Sequence, residues 1–114
     1  MESIVKQALL YDFYGELLTK HQKSIYEDYI LNDIGLSEIA KEEGISRQGV
    51  YDLVKRCQKI LEGYEEKLHL VEKFLNAKSK VQKINELALK LEETGDKAII
   101  KEITAITNDI LEEM

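Results

Sequence analysis

An all-α fold is what the sequence predicts, on three observations. The 114 residues contain no proline and only six glycines. Charged residues make up 33% and hydrophobic ones 44%, a mixture suited to amphipathic helices rather than turn-rich sheets. Apolar side chains recur every three or four positions along almost the whole chain, the repeat of one helix face. The length suffices for one domain or for a small domain with an appendage. The pattern divides it into a helix-turn-helix domain over residues 1–61 and a tail of long helices over residues 62–114, serving dimerisation or docking.

Ile4, Val5, Ala8, Leu9, Phe13, Leu17 and Leu18 define a first helix from Ser3 to Leu18. Thr19-Lys20-His21 interrupts the repeat. Ile25, Tyr26, Tyr29 and Ile30 then mark a shorter helix ending before Asn32-Asp33-Ile34-Gly35. Tyr11, Tyr14, Tyr26 and Tyr29 fall at helical spacing beside Leu and Ile, so they are expected at the edges of the core rather than on a base-stacking surface. Two short helices follow, Ser37 to Glu43 and Arg47 to Ile60, separated by Gly44-Ile45-Ser46.

Beyond Gly63 a long helix is expected from Leu61, Tyr64, Leu68, Val71 and Leu75, spaced as in a heptad seam. The seam blurs at Lys78 to Lys80, resumes with Val81, Ile84, Leu87 or Ala88, and Leu91, and stops at Thr94-Gly95-Asp96, where glycine ends one helix and aspartate caps the next. Ile99, Ile103, Ile106 and Ile110 line a last helix. So long an apolar face needs a cover. The tail packs against the N-terminal domain, folds into a hairpin or pairs with a second copy of the chain, and pairing is the expected outcome, making a homodimer.

The segment from Leu36 to Cys57 meets the restrictions of a helix-turn-helix in order. Ala40 is small where the first helix must approach the second. Gly44 suits a left-handed turn, Ile45 is expected as a buried plug, and Ile39, Val50 and Leu53 supply interlocking apolar contacts that Val54 extends. Ser46 stands at the N-cap, where its hydroxyl can accept from an orphan N–H. With Val50, Leu53 and Val54 turned inward, the helical period directs Arg47, Gln48, Tyr51, Asp52, Lys55 and Arg56 outward or to the flanks.

Those outward groups suit a DNA groove. Arg47 and Gln48 lie at the end of the helix that reaches base edges, with bidentate geometry for guanine and adenine. Tyr51 offers an apolar or phosphate contact, and Lys55, Arg56 and Lys59 are placed for phosphate neutralisation. The expected nucleic-acid site is therefore Ser46, Arg47, Gln48, Tyr51, Lys55 and Arg56. From Ser46 to Lys59 there are four basic residues and one acidic, against three basic and six acidic in residues 1–35 and eight basic and twelve acidic in residues 62–114. A net charge of −6 argues against a protein that coats nucleic acid nonspecifically, and leaves room for one localised site.

Other classes fit less well. Residues Met1 to Gln7 show no basic leader followed by an apolar core, and no run approaches a bilayer span, so a cytoplasmic location with no membrane association is expected. Cys57, the one cysteine, excludes an intrachain disulfide and reads as a small buried apolar residue. His21 and His69 have no companions at zinc-ligand spacing, so no metal is expected, and no cofactor either. Catalysis has no phosphate loop or nucleophile triad to rest on. The carboxylates Glu42-Glu43, Glu65-Glu66, Glu92-Glu93 and Glu112-Glu113 are adjacent pairs that point to different sides of a helix.

The run from Tyr14 to Gln22, then Leu36 to Asp52 with Lys55-Arg56, closely resembles the YlxM family of bacterial helix-turn-helix proteins. That family is in turn similar to region four of sigma factors, whose pattern appears as Glu38-Ile39-Ala40, Gly44-Ile45-Ser46 and Val50. The resemblance implies a sigma region four-like domain in a small cytoplasmic protein associated with the signal recognition particle pathway, because the family's genes lie beside those of that targeting system. Gly49 departs from the alanine of the family pattern. A glycine inside a helix costs about 1 kcal/mol relative to alanine, so it either softens the start of the second helix or lets backbone approach a phosphate.

The expected partners are nucleic acid, duplex DNA first with RNA left open, components of the signal recognition particle under the resemblance, and a second copy of the chain. The rival reading is a protein-interaction module that keeps the same fold and uses its surface for docking, because fold alone does not separate the two.

Overall fold

The computed structural model describes residues 3–114. They form six α-helices, with no strand among them: α1 (Ile4–Tyr14), α2 (Lys20–Ile30), α3 (Leu36–Glu43), α4 (Arg47–Leu68), α5 (Leu70–Thr94) and α6 (Ala98–Glu113), with a 3-10 turn over Gly15–Leu17. By its internal contacts the chain forms two compact units, Met1–Val71 and Glu72–Met114.

Local chemistry sets the boundaries in the first unit. Ser3 caps α1, its hydroxyl accepting from Lys6 N–H at 3.1 Å. The helix expected to reach Leu18 stops at Tyr14, and Gly15 begins the 3-10 turn because the Tyr11 ring lies on it. A Cβ there would fall 2.8 Å from the Tyr11 ring. Thr19 and Gln22 form a reciprocal capping box at the start of α2, with Gln22 N–H donating to Thr19 Oγ1 at 3.2 Å and Thr19 N–H to Gln22 Oε1 at 2.9 Å.

The core of this unit gathers Leu10, Tyr11, Tyr14, Leu18, Ile25, Tyr26, Ile30, Ile39, Ala40, Val50, Val54, Cys57, Leu61 and Val71. The tyrosines therefore pack as expected, but deeper. Tyr14 and Tyr26 are 1% and 0% exposed, central rather than peripheral, while Tyr29 is half-buried. Ile4, Val5, Phe13 and Leu17, counted with the first helix's apolar face, are exposed. Burial pushes the Cys57 thiol above its ordinary pKa, with the Arg56 charge opposing.

Two expectations about the chain beyond Ile60 are corrected. The second helix of the helix-turn-helix does not end near Ile60, and Gly63 does not divide it. It continues to Leu68 and breaks at His69, whose backbone is left-handed at φ 56°. The first unit also extends past Leu61 to Val71, because Leu61 and Val71 are buried in its core and the Tyr64 ring stacks on Tyr14 at 6.1 Å. That part of the expected heptad seam is thus spent inside the first unit.

The second unit is a helical hairpin. Gly95, at φ 69°, ends α5, and the Asp96 carboxylate accepts from Ala98 N–H at 3.0 Å at the start of α6. Lys80 on α5 is ion-paired with Glu113 on α6. No helix among the described residues is long and apolar enough to cross a membrane.

Candidate nucleic-acid interface

The turn between α3 and α4 has the conformation that its residues favour. Gly44 is left-handed at φ 68° and its N–H returns to Ala40 carbonyl, as does that of Ile45 at 3.1 Å. Ala40, at 8% exposure, lies inside, where the two helices approach. Ser46 is the N-cap of α4, its hydroxyl accepting from Gly49 N–H at 2.9 Å. A 3.1 Å contact between His21 Nε2 and Glu43 Oε2 ties α2 to the end of α3.

Ile45 is not the buried plug expected from its place in the motif. It is 42% exposed, because with Ser46 extended at ψ 157° its side chain folds over the first turn of α4, where its Cδ1 lies 3.7 Å from the position of a Cβ on Gly49. The plug's work falls to Ile39 and Val50, at 1% and 0% exposure.

Val50, Val54, Cys57 and Leu61 form the inner stripe of α4. The helical period then places the remaining side chains outward, and Ser46, Arg47, Gln48, Tyr51, Lys55 and Arg56 are all exposed. All six therefore share the outer surface of the first three turns of α4 and its cap. Neither Arg47 nor Arg56 is held in a hydrogen bond or ion pair among the described residues. Gln48 Nε2 donates to Asp52 Oδ1 at 2.9 Å, and Lys55 Nζ sits 5.6 Å from the centre of the Tyr51 ring, a cation–π distance.

Two hollows flank Tyr51. One, of about 520 Å³, is lined by Leu36, Arg47, Gln48 and Tyr51. The other, of about 260 Å³, is lined by Ile4, Gln7, Tyr29, Tyr51, Val54, Lys55 and Gln58. Leu36 is a lining residue that sequence reasoning missed, since it reads simply as the start of α3. Asp52 was placed on the surface without a role, although its i,i+4 spacing from Gln48 is the spacing of such pairs.

This architecture agrees with what similar proteins are called. Residues 1–105 match the family described as "UPF0122: Putative helix-turn-helix protein, YlxM / p13 like". The chain belongs to this family. It is 41% identical to a UPF0122 protein of Acetivibrio thermocellus, covering 98% of this chain and 99% of that one. It is 48% identical to the UPF0122 protein YlxM of Bacillus subtilis, covering 77% and 80% respectively. A UPF0122 protein of Caldanaerobacter subterraneus is 56% identical over 68% of this chain and 67% of its own. The UPF0122 description is of a helix-turn-helix family, not of an enzyme family.

Proposed function

We propose that the chain is a non-catalytic regulator that holds duplex DNA, with the N-terminal half of α4 in the major groove. The observation that carries this reading is that Arg47, Gln48, Tyr51, Lys55 and Arg56 stand exposed together on one helix whose inner stripe is fully committed to the core. Arg47 and Gln48 on the first turn meet base edges, and Lys55 and Arg56 meet phosphates. The acidic remainder of the chain confines attraction to this surface and keeps binding weak and salt-sensitive. As part of this reading we take the activity to belong in the cytoplasm and to be linked to the signal recognition particle pathway, which the resemblance to the YlxM family supports.

A second reading draws on one observation, the hollow that Leu36 and Tyr51 line beside Arg47, with Ile45 exposed nearby in the sequence. A protein partner fills such an apolar recess, whereas DNA leaves it wet.

Titration of duplex DNA at low and moderate salt tests the first reading. Binding should weaken steeply with salt and should be lost in Arg47→Ala/Arg56→Ala with folding intact. Equal binding by that variant overturns it, and preferential binding of structured RNA moves the site to that ligand.

A further inference from the structure

Four residues apart on the outer surface of α4, Gln48 and Asp52 are joined by one hydrogen bond, Gln48 Nε2 donating to Asp52 Oδ1 at 2.9 Å. Both side chains are exposed. A carboxylate accepts and does not donate, whereas an amide does both, so the amide nitrogen has to be the end that faces Asp52. Lys55, three residues beyond Asp52, is turned over the Tyr51 ring, 5.6 Å from its centre, and leaves the carboxylate to Gln48.

A lone glutamine in a DNA groove is an ambivalent reader, because its terminal amide turns about χ3 with little preference. In one orientation Oε1 and an N–H together match adenine, which presents N6 as a donor and N7 as an acceptor. Turned over, the amide puts its NH2 group where Oε1 had been, which suits guanine, whose O6 and N7 both accept. Asp52 removes the second choice. Were the amide turned over, Gln48 Oε1 would face Asp52 Oδ1 with no proton between them. Held as it is, the amide gives one N–H to Asp52 and keeps the other, with Oε1, for a base.

We propose that Asp52 is a positioning residue that makes Gln48 a reader of adenine and shuts guanine out of the same position. The inference rests on α4 lying in the major groove, and it names the ligand class for that reading: a duplex in which one base pair presents adenine to Gln48 and another presents guanine to Arg47, whose guanidinium only donates. It also accounts for the one acidic residue between Ser46 and Lys59. A carboxylate there repels phosphate and lowers affinity for every duplex, but it supplies a choice among them. Away from bulk water the charged acceptor holds the amide more firmly. A pair serving only the helix surface, as i,i+4 side chains do, would alter stability when broken and leave base choice alone.

Selection by the full chain from a pool of randomised duplex DNA, followed by anisotropy on matched duplexes differing at one base pair, tests this. One position should favour adenine over guanine by about tenfold, the scale of a good bidentate contact. Gln48→Ala should lose that preference and no other. Asp52→Asn puts in a side chain that donates as well as accepts and so tolerates either orientation of Gln48; it should cut the preference to about threefold or less while admitting guanine. Asp52→Glu, which keeps a partner that only accepts, should retain it. An adenine preference unchanged in Asp52→Asn overturns the proposal. So does a Gln48-dependent position that selects guanine or cytosine, and so does duplex binding whose base preferences Gln48→Ala leaves untouched. Failure of the unsubstituted protein to enrich or bind any duplex is a different result: it overturns the DNA reading itself, and this proposal with it.

Discussion

The Tyr14 hydroxyl donates to Glu65 Oε1 at 2.5 Å, and between them these two side chains cap α5. The same hydroxyl accepts from Leu70 N–H at 3.1 Å, and the same carboxylate oxygen accepts from Val71 N–H at 2.9 Å. Two orphan donors at a helix start are thereby satisfied by residues 56 and 6 positions away. The cap holds the break at His69, where the left-handed backbone lets the chain restart as a new helix.

Tyr14→Phe keeps the ring and removes the hydroxyl, leaving Leu70 N–H and Glu65 without this partner. The expected loss is about 1–3 kcal/mol, the range for a buried polar group deprived of its partner. Glu65→Gln, which keeps an acceptor oxygen, should lose less. Urea unfolding followed by circular dichroism measures both, and a Tyr14→Phe variant as stable as the parent removes the capping role.

The same burial makes the protein sensitive to alkali. Desolvation raises the pKa of Tyr11, Tyr14 and Tyr26 above the ordinary tyrosine value, and the Glu27 and Glu65 carboxylates that accept from Tyr11 and Tyr14 raise those two further. Beside Tyr26, Cys57 adds to the rise and Gln58 opposes it. The folded state therefore keeps protons that the unfolded chain releases near pH 10. Stability is full below that value and falls above it, by about 1.4 kcal/mol per pH unit for each tyrosine. Unfolding should coincide with the ionisation of these three tyrosines, seen as the cooperative part of the rise in tyrosinate absorbance, since the chain holds six tyrosines in all. Ionisation of all three while the helices stay intact would contradict this account.

The helix-turn-helix was legible because its determinants are local: Gly44 must be left-handed, Ser46 caps its own helix, and the 3.6-residue period sorts Val50 and Val54 from Arg47 and Lys55. The same period assigns the outer surface of α4 from the sequence alone. What was not legible depends on partners far along the chain. Nothing near Gly63 or His69 says which one breaks the helix, since the Tyr14–Glu65 pair decides it. Ile45 misleads because an isoleucine in a turn reads as core, whereas the extended Ser46 backbone turns it onto the surface. Val71 joined the first unit rather than the tail for the same reason that α5 starts where it does.

Asp52 offers a test of the DNA reading that does not weaken the site. It is the one acidic residue between Ser46 and Lys59, and it holds Gln48 at 2.9 Å. Asp52→Asn keeps a hydrogen-bond acceptor and removes a charge that repels phosphate, so duplex affinity should rise several-fold at low salt and converge on the parent's at high salt. Lys55→Ala should lower the slope of log affinity against log salt by about 0.9, one phosphate's share. Affinity unchanged in both, measured by fluorescence anisotropy, would place DNA elsewhere than on this helix.

Gly49 sets folding stability against the geometry of the cap. Replacing it by alanine gains about 1 kcal/mol of helix propensity. The new Cβ would lie 3.7 Å from Ile45 Cδ1, an ordinary contact, but 3.2 Å from Ser46 Oγ, which must yield a few tenths of an ångström while still accepting from residue 49 N–H. That hydroxyl is exposed and its cap is worth about 1 kcal/mol, so a partial loss leaves Gly49→Ala net stabilising by about 0.5 kcal/mol. In a Ser46→Ala background nothing crowds the Cβ, and the substitution should deliver the whole propensity gain. A double-mutant cycle by urea unfolding should therefore show the two positions coupled by about 0.5 kcal/mol. A destabilised Gly49→Ala would mean that the cap cannot give, and that glycine is present for the hydroxyl rather than for an approaching phosphate.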